Sequence, residues 1–424
     1  MVRQGIRARR RNAIEVAAQP TRSAKGDSTC RTGRCIGRGN GVLVLLCALA
    51  CATSQAEDAW VLHPAVQLMG SYDDNIDLAP SGARSERGLR LATALGITRN
   101  RAQSTLSATA GLDVIEYSAS DATRESGNYF FQLTGTNEAP RDNWQLDASY
   151  MNDTLQRTIE LAPDPADEPD SDIDVALVTR PVERERVSVK PAWTHNLSPR
   201  SRLRLAYVLS TQRFDEPAGI ELVDYDRHVL STRFIHRYSR RDSINMDVRV
   251  QRFEPEGLRA VDTYEVATGY SHSYSPVGSV ALEAGIRRVS GAGDEAGLVA
   301  GLSWRGKTER ANTMLSVRRQ VFPNGLGDLV ESDQVVAKWN RQVGPRTALL
   351  TSARAFDTAP LDRLRNTGRQ YVEVNAELRH ALDRQWSLGA EYRLRWIDRE
   401  SDPDSATSNA LYVFVGFGQP VTLD

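Results

Sequence analysis

From Trp60 onward, apolar and charged residues alternate with a period of two, and no other feature restricts the possible folds so strongly. In Ser201–Tyr207, Leu203, Leu205 and Tyr207 occupy one parity and Arg202, Arg204 and Ala206 the other. Ser243–Gln251 sets Ile244, Met246, Val248 and Val250 against Asn245, Asp247, Arg249 and Gln251. Tyr371–Arg379 sets Val372, Val374, Ala376 and Leu378 against Glu373, Asn375, Glu377 and Arg379. Gln385–Ile397 carries Trp386, Leu388, Ala390, Tyr392, Leu394 and Trp396 opposite Ser387, Gly389, Glu391, Arg393 and Arg395. Successive side chains of a strand point to opposite faces, so each segment has one apolar and one charged face.

A soluble sandwich with one wet face alternates in the same way. Two features separate this chain from one. Its alternating segments run to roughly 10–13 residues, close to the 9–11 that a tilted membrane strand needs and longer than the usual 5–6. Short and long connections also alternate, as in outer-membrane barrels. The short ones lie near Arg99–Ala102, Glu138–Asp142, Asn196–Arg200, Ser239–Arg241, Tyr274–Val277, Gly306–Glu309, Val343–Pro345 and Ala381–Arg384. Between them come Asp74–Gly88, Ala119–Ser126, Gln156–Val182, Asp215–Tyr225, Pro255–Val261, Gly291–Asp294, Pro323–Glu331, Thr358–Thr367 and Asp398–Ser408. This pattern predicts an all-β transmembrane antiparallel barrel of about 18 strands, with 16 as the alternative, because an even number closes the sheet. Short turns are expected on the periplasmic side and long loops outside.

Charge is unevenly distributed. Residues 1–56 hold ten Lys/Arg against Glu15 and Asp27, whereas the whole chain is at −1, so residues 57–424 carry about −9. The one continuous apolar stretch, Gly41–Ala52 (GVLVLLCALACA), is too short for a membrane helix, which needs about 20 residues. Basic residues precede it and Ser54-Gln55-Ala56 follows as a small-x-small site. Residues 1–56 are therefore expected to be a secretory signal peptide with a long basic n-region, cleaved after Ala56, and residues 57–424 the barrel. Cys30, Cys35, Cys47 and Cys51 all precede that cut, which leaves the mature chain without a thiol, disulfide or cysteine metal site. Ala48-Leu49-Ala50-Cys51 carries Ala48 where a lipoprotein box has leucine, so plain cleavage is expected.

Trp60, Tyr72, Tyr117, Trp144, Tyr150, Trp193, Trp386 and Trp396 stand where strands meet connections, as headgroup-level aromatic girdles do. The last strand is expected at Leu411–Phe417 (LYVFVGF).

Residue types that would carry chemistry are sparse. The six histidines (His63, His195, His228, His236, His272 and His380) form no metal-spaced pair, though His228 and His236 are an even number of residues apart and could share a face. In Ser271-His272-Ser273 the serines point away from the histidine if the segment is a strand, so no nucleophile–base pair is expected. The acidic run Leu161–Asp174 contains Asp170-x-Asp172-x-Asp174 but lacks the glycine and terminal glutamate of a calcium loop. It is expected to be an exposed loop, long enough to fold inward and narrow a pore. No catalytic residue, metal site, cofactor or nucleotide-binding loop is expected.

The charged faces are more informative. Arg202, Arg204, Asp247, Arg249, Glu283, Arg287, Glu373, Glu377, Arg379, Glu391, Arg393 and Arg395 would line the lumen of such a barrel, where charge sets selectivity. The competing reading is that these signs pair across strands and merely fill a polar interior.

The first expected strand and its loop read VQLMGSYDDNI, Val66–Ile76, with Tyr72, Asp73, Asp74 and Asn75 at the strand end. In this motif, placed directly after a signal peptide, the chain resembles the porin-like outer-membrane β-barrel proteins of exopolysaccharide and capsule gene clusters. The resemblance in pattern extends to Phe417 and implies a hydrophilic pore in the Gram-negative outer membrane, linked to exopolysaccharide export or passage of another polar solute. Implied partners are outer-membrane lipid and lipopolysaccharide, with polysaccharide and secretion-system components, and no nucleic acid. A non-conducting barrel anchoring a secretion complex is the alternative, and an outer-membrane hydrolase a more distant one. The residues themselves suggest Tyr72 at the rim, with Asp73, Asp74 and Asn75 as a solvated turn.

Overall fold

The computed structural model describes residues 60–118, 123–154, 182–215, 222–291, 295–361, 368–400 and 402–418, and side chains at 123–126 are not included. The expected signal peptide, its cysteines and the acidic run Leu161–Asp174 lie outside the described residues. The described residues form eighteen strands. The first six are β1 (Trp60–Asp73), β2 (Glu86–Arg101), β3 (Ser104–Ser118), β4 (Thr123–Glu138), β5 (Asp142–Thr154) and β6 (Glu183–Asn196). The next six are β7 (Ser201–Asp215), β8 (Tyr225–Arg237), β9 (Asp242–Pro255), β10 (Val261–Ser275), β11 (Gly278–Ser290) and β12 (Glu295–Lys307). The last six are β13 (Ala311–Pro323), β14 (Leu329–Gly344), β15 (Thr347–Pro360), β16 (Arg369–Ala381), β17 (Trp386–Arg399) and β18 (Ala406–Phe417).

Each strand pairs antiparallel with its sequence neighbours, and β1 pairs with both β2 and β18. The sheet therefore closes without an edge, as a strand array in lipid must. Trp60 lies opposite Arg99, and Val66 lies opposite Phe417, so β1 begins and β18 finishes at the end of the barrel that carries the short turns. All eight expected short turns occur, and the strand count is the expected 18. Strand lengths of 12 to 16 residues exceed the alternating segments seen in sequence.

The two faces differ in the way the alternation requires. One carries Leu68, Leu89, Leu91, Met246, Ile286 and Leu298, all at least 46% exposed. The other carries Arg90, Asp113, Gln251, Arg393 and Ser408, all buried. Side chains on the concave face of a closed sheet converge and cover one another, so the second set is the inner wall. An apolar belt around the whole outer face far exceeds what a protein shows to water, and it matches a hydrocarbon slab. The barrel is a transmembrane one.

Six of the seven tryptophans (Trp60, Trp144, Trp193, Trp304, Trp339 and Trp386) sit on the outer face near the short turns. They are fixed by ring contacts such as Trp144–Trp193 at 6.0 Å and Trp386–Phe417 at 5.2 Å, and by the Arg99 guanidinium 5.3 Å from the Trp60 ring. Tyr117, expected in a girdle, instead faces inward and is buried. Its parity on β3 matches Asp113 and Ile115, and its ring packs under Gly88, where an added Cβ would lie 3.0 Å from it.

Near the long loops parts of the inner wall turn apolar. Phe214, Tyr225, Phe253, Val261 and Val289 of β7 to β11 pack with Val182, Leu222 and Leu329, and Leu326 and Leu361 join from the loops. The β13–β14 loop reaches this cluster: Val223 donates its backbone N–H to the Gly325 carbonyl at 2.8 Å. Gly327, at φ 80°, faces Leu258, and a Cβ there would come within 2.8 Å of the leucine side chain. A second cluster joins Leu78, from the β1–β2 loop, to Phe356, Tyr371, Ile397 and Ala406. Long loops thus fold onto the inner wall at this end.

One seam is incomplete. β12 and β13 pair only from Ala300–Arg319 to Lys307–Asn312, although both continue as strands toward the long loops. Where they part, the Arg287 guanidinium of β11 meets the Glu331 carboxylate of β14.

The inner wall as candidate functional site

Strand register places the twelve charged residues singled out in sequence on the inner face, in two arcs. The first arc holds Arg202 and Arg204 on β7, Asp247 and Arg249 on β9, and Glu283 and Arg287 on β11. Arg233 of β8 joins them: it is ion-paired with Asp247 and lies 3.9 Å from Glu283. The second arc holds Glu373, Glu377 and Arg379 on β16 and Glu391, Arg393 and Arg395 on β17.

In the second arc the charges pair within strands, two residues apart on one face. Arg379 meets Glu377 at 2.6 Å and Arg393 meets Glu391 at 2.8 Å. Glu373 accepts from the Tyr371 hydroxyl at 2.7 Å and from Asn375 at 2.9 Å. Arg393 also donates to the Asn375 side-chain oxygen Oδ1 at 3.2 Å. Much of the wall is therefore electrically matched, and this favours a polar filled surface over free charge. Arg202 and Arg204 differ. Among the described residues neither forms an ion pair, and Arg204 lies directly opposite Arg233.

The Tyr72–Asn75 motif is not the solvated turn expected of it. Tyr72 does point outward, but Asp73 and Asn75 are 6% and 4% exposed. Asp73 accepts from Arg395, from the Ser408 hydroxyl at 2.7 Å and from the Asn75 backbone N–H at 2.9 Å. Asp74 takes the Asn409 backbone N–H at 2.6 Å and its side-chain amide at 2.8 Å. The Asn75 side chain donates to the carbonyls of Ala79 at 2.9 Å and Thr407 at 3.0 Å, and accepts from the Ala79 N–H at 3.0 Å. The motif thus stitches β1 to β17 and β18 and turns the first long loop inward, which delivers Leu78 to its cluster. Leu78 occupies the left-handed region at φ 49°, a conformation that a non-glycine residue holds only when its surroundings fix it.

Several inner-wall charges were not singled out in sequence. Arg90 pairs with Asp113 at 2.7 Å, Arg184 with Asp153 at 3.1 Å, and Arg227 with the Gln251 side-chain oxygen Oε1 at 3.1 Å. On β8 the inner parity reads Arg227, Val229, Ser231, Arg233 and Ile235. Its interleaved Val229 and Ile235 hide the alternation that exposes the other strands.

The histidines form a repeated outer feature. His195, His236, His272 and His380 each end an even-numbered strand and bond the residue directly opposite: Asp142 at 2.8 Å, Ser201 at 2.9 Å, Asp242 at 2.7 Å and Thr347 at 2.9 Å. Ser201–His236 is one clasp of this series, and among the described residues no acid completes it. His228, on the same outer parity as His236, bonds the Tyr207 hydroxyl at 2.6 Å. Among the described residues, no group of three His, Cys, Asp or Glu is placed to hold a metal ion.

No family model matches the chain, and no curated protein matches it. Solved structures share its barrel shape at a distance. Acinetobacter baumannii OccAB4 is 11% identical with a TM-score of 0.46, covering 86% of this chain and 98% of its own. Pseudomonas aeruginosa OccK7 is 8% identical at 0.46, covering 86% and 99%. Pseudomonas aeruginosa OprD is 10% identical at 0.41, covering 84% and 94%. At these values the likeness carries no argument about what this chain transports or binds.

Proposed function

We propose that the chain is an outer-membrane barrel forming a passive hydrophilic pore for polar solutes, delivered by its signal peptide and seated in lipid and lipopolysaccharide. The observation that carries this reading is the inner wall. A closed transmembrane sheet sets charged and hydrogen-bonding side chains of both signs on its concave face over most of its length, and an apolar belt on its convex face. Such a wall suits water and hydrated solutes. The resemblance to exopolysaccharide-cluster barrels adds a polysaccharide segment as the candidate cargo, with secretion-system components as partners.

A second reading has its own support. The apolar cluster from Val182 to Leu329 and the inward loops narrow the long-loop end, which favours a non-conducting barrel that organises a secretion complex. Planar-bilayer recording of the refolded chain, with and without an acidic polysaccharide, separates them. Stable conductance steps blocked by the polymer support the export pore, and steps indifferent to it support passage of smaller solutes. A folded, heat-modifiable barrel that never conducts refutes the pore.

A further inference from the structure

Between the β4–β5 and β6–β7 turns and the end of β8 lies a depression of about 500 Å³. Four arginines line it: Arg141 and Arg200 from the two turns, Arg202 from β7 and Arg237 from β8. No acidic residue does. Asn196 adds a carboxamide, and Ser198 fixes the β6–β7 turn by accepting the N–H groups of Arg200 at 3.2 Å and Ser201 at 3.0 Å.

Among the described residues Arg141, Arg200, Arg202 and Arg237 form no ion pair. Two adjacent rim carboxylates, Asp142 and Asp242, are turned to the outer face and already engaged, while Glu138 at the end of β4 is exposed and does not line the depression. Asp142 accepts from Trp193 at 2.9 Å and bonds His195, and Asp242 accepts from Tyr270 at 2.7 Å and bonds His272. One strand position further in, Arg204 stands against Arg233. Directly opposed like charges weaken a sheet. On a wall that matches much of its arginine with carboxylate, a concave group of four guanidinium ions without an ion pair is a receptor for an anion supplied from outside.

We propose that this depression binds an oxyanion of the phosphate or carboxylate class at the short-turn mouth, the four guanidinium groups supplying forked N–H donors. Its volume is in the range of small-molecule sites and admits a sugar-sized group bearing such a charge. The site stands whether or not the lumen conducts, and so goes beyond the pore reading.

The test is calorimetric titration of the full chain, folded in detergent micelles, with pyrophosphate and separately with a galacturonic-acid trimer. Binding that weakens as salt is raised, and falls at least about tenfold in Arg202→Gln/Arg237→Gln, is the expected result. Arg305→Gln, on β12 near the same end but outside the depression, leaves the affinity in place. Pyrophosphate alone binding assigns the site to phosphate, and the trimer binding assigns it to uronate-type carboxylates; either supports the proposal. Absence of binding to both probes, or binding unchanged in the folded double variant, overturns it. If the double variant fails to fold, Arg200→Gln in the turn is read by the same criterion. Conductance of the same samples separates the two readings: a barrel that binds without conducting keeps the site and loses the pore.

Discussion

Replacing Asp73 with alanine tests how the barrel is held shut. Asp73 on β1 accepts from Arg395 of β17 and Ser408 of β18, so one carboxylate ties three strands across the junction where the chain ends meet. Its side chain and that of Arg395 are 8% and 5% exposed. Removing it leaves a buried guanidinium without its counter-charge, and takes away the acceptor of the Ser408 hydroxyl proton and of the Asn75 N–H. Breaking a buried pair from one side costs about 3–5 kcal/mol. With a urea dependence of about 2 kcal/mol per molar, a loss of about 4 kcal/mol lowers the unfolding midpoint by about 2 M. The assay is urea unfolding of the vesicle-inserted barrel, followed by tryptophan fluorescence and heat-modifiable migration. Asp73→Ala/Arg395→Met, which removes both charges, recovers much of the loss because no uncompensated ion remains. A midpoint shift under about 0.5 M in the single variant, or a double variant as unstable as the single, refutes the argument that this pair closes the barrel.

Three further outcomes are expected. Gly285→Val lowers stability by about 1–3 kcal/mol through overpacking, since a Cβ there would lie 2.4 Å from the Val266 carbonyl oxygen. Gly70→Ala, where nothing lies within 4 Å, leaves the same urea midpoint unchanged and serves as the control. Leu78→Ala loosens the β1–β2 loop at a cost of about 2 kcal/mol, the low end for leucine because a loop can settle into the space; faster protease cleavage within 74–85 reports it, and an unchanged cleavage rate counts against the docking of that loop. If the pore conducts, Arg202→Gln/Arg204→Gln shifts its reversal potential in a salt gradient toward cation preference, because these arginines lack the carboxylates that neutralise Arg379 and Arg393. An unmoved reversal potential would mean that the paired charges set the selectivity.

The fold was legible in sequence because its determinant is local. Parity alone assigns Leu388, Tyr392 and Trp396 to lipid and Glu391, Arg393 and Arg395 to the wall, and turn residues mark the hairpins. What parity cannot report is which inner residues meet across several strands. Asp73 and Arg395 lie 322 residues apart, and their contact depends on closure. For the same reason Asp73 and Asn75 read as turn residues in isolation, since short polar side chains suit turns equally well. Tyr117 looked interfacial by position, but its parity with Asp113 already placed it inside. The basic depression was not legible because, although Arg202 stood out by parity, its partners Arg141, Arg200 and Arg237 come from two turns and another strand end.

The pairing order has a consequence for how the barrel is made. All neighbouring strands but one pair are consecutive in the chain, so hairpin after hairpin can form with little loop-closure entropy. Only β1 with β18 joins distant residues, Val66 with Phe417 among them. This contact should form last, and until it does the sheet has two bare edges open to other chains. Because β1 begins and β18 finishes on one rim, linking those two strand ends and cutting the chain at residues 256–260 would preserve every pairing. The late, vulnerable step would then move to β9 and β10. Where a barrel of this kind closes is thus a property of its connectivity, and the Asp73 clasp is stationed where the present connectivity makes closure hardest.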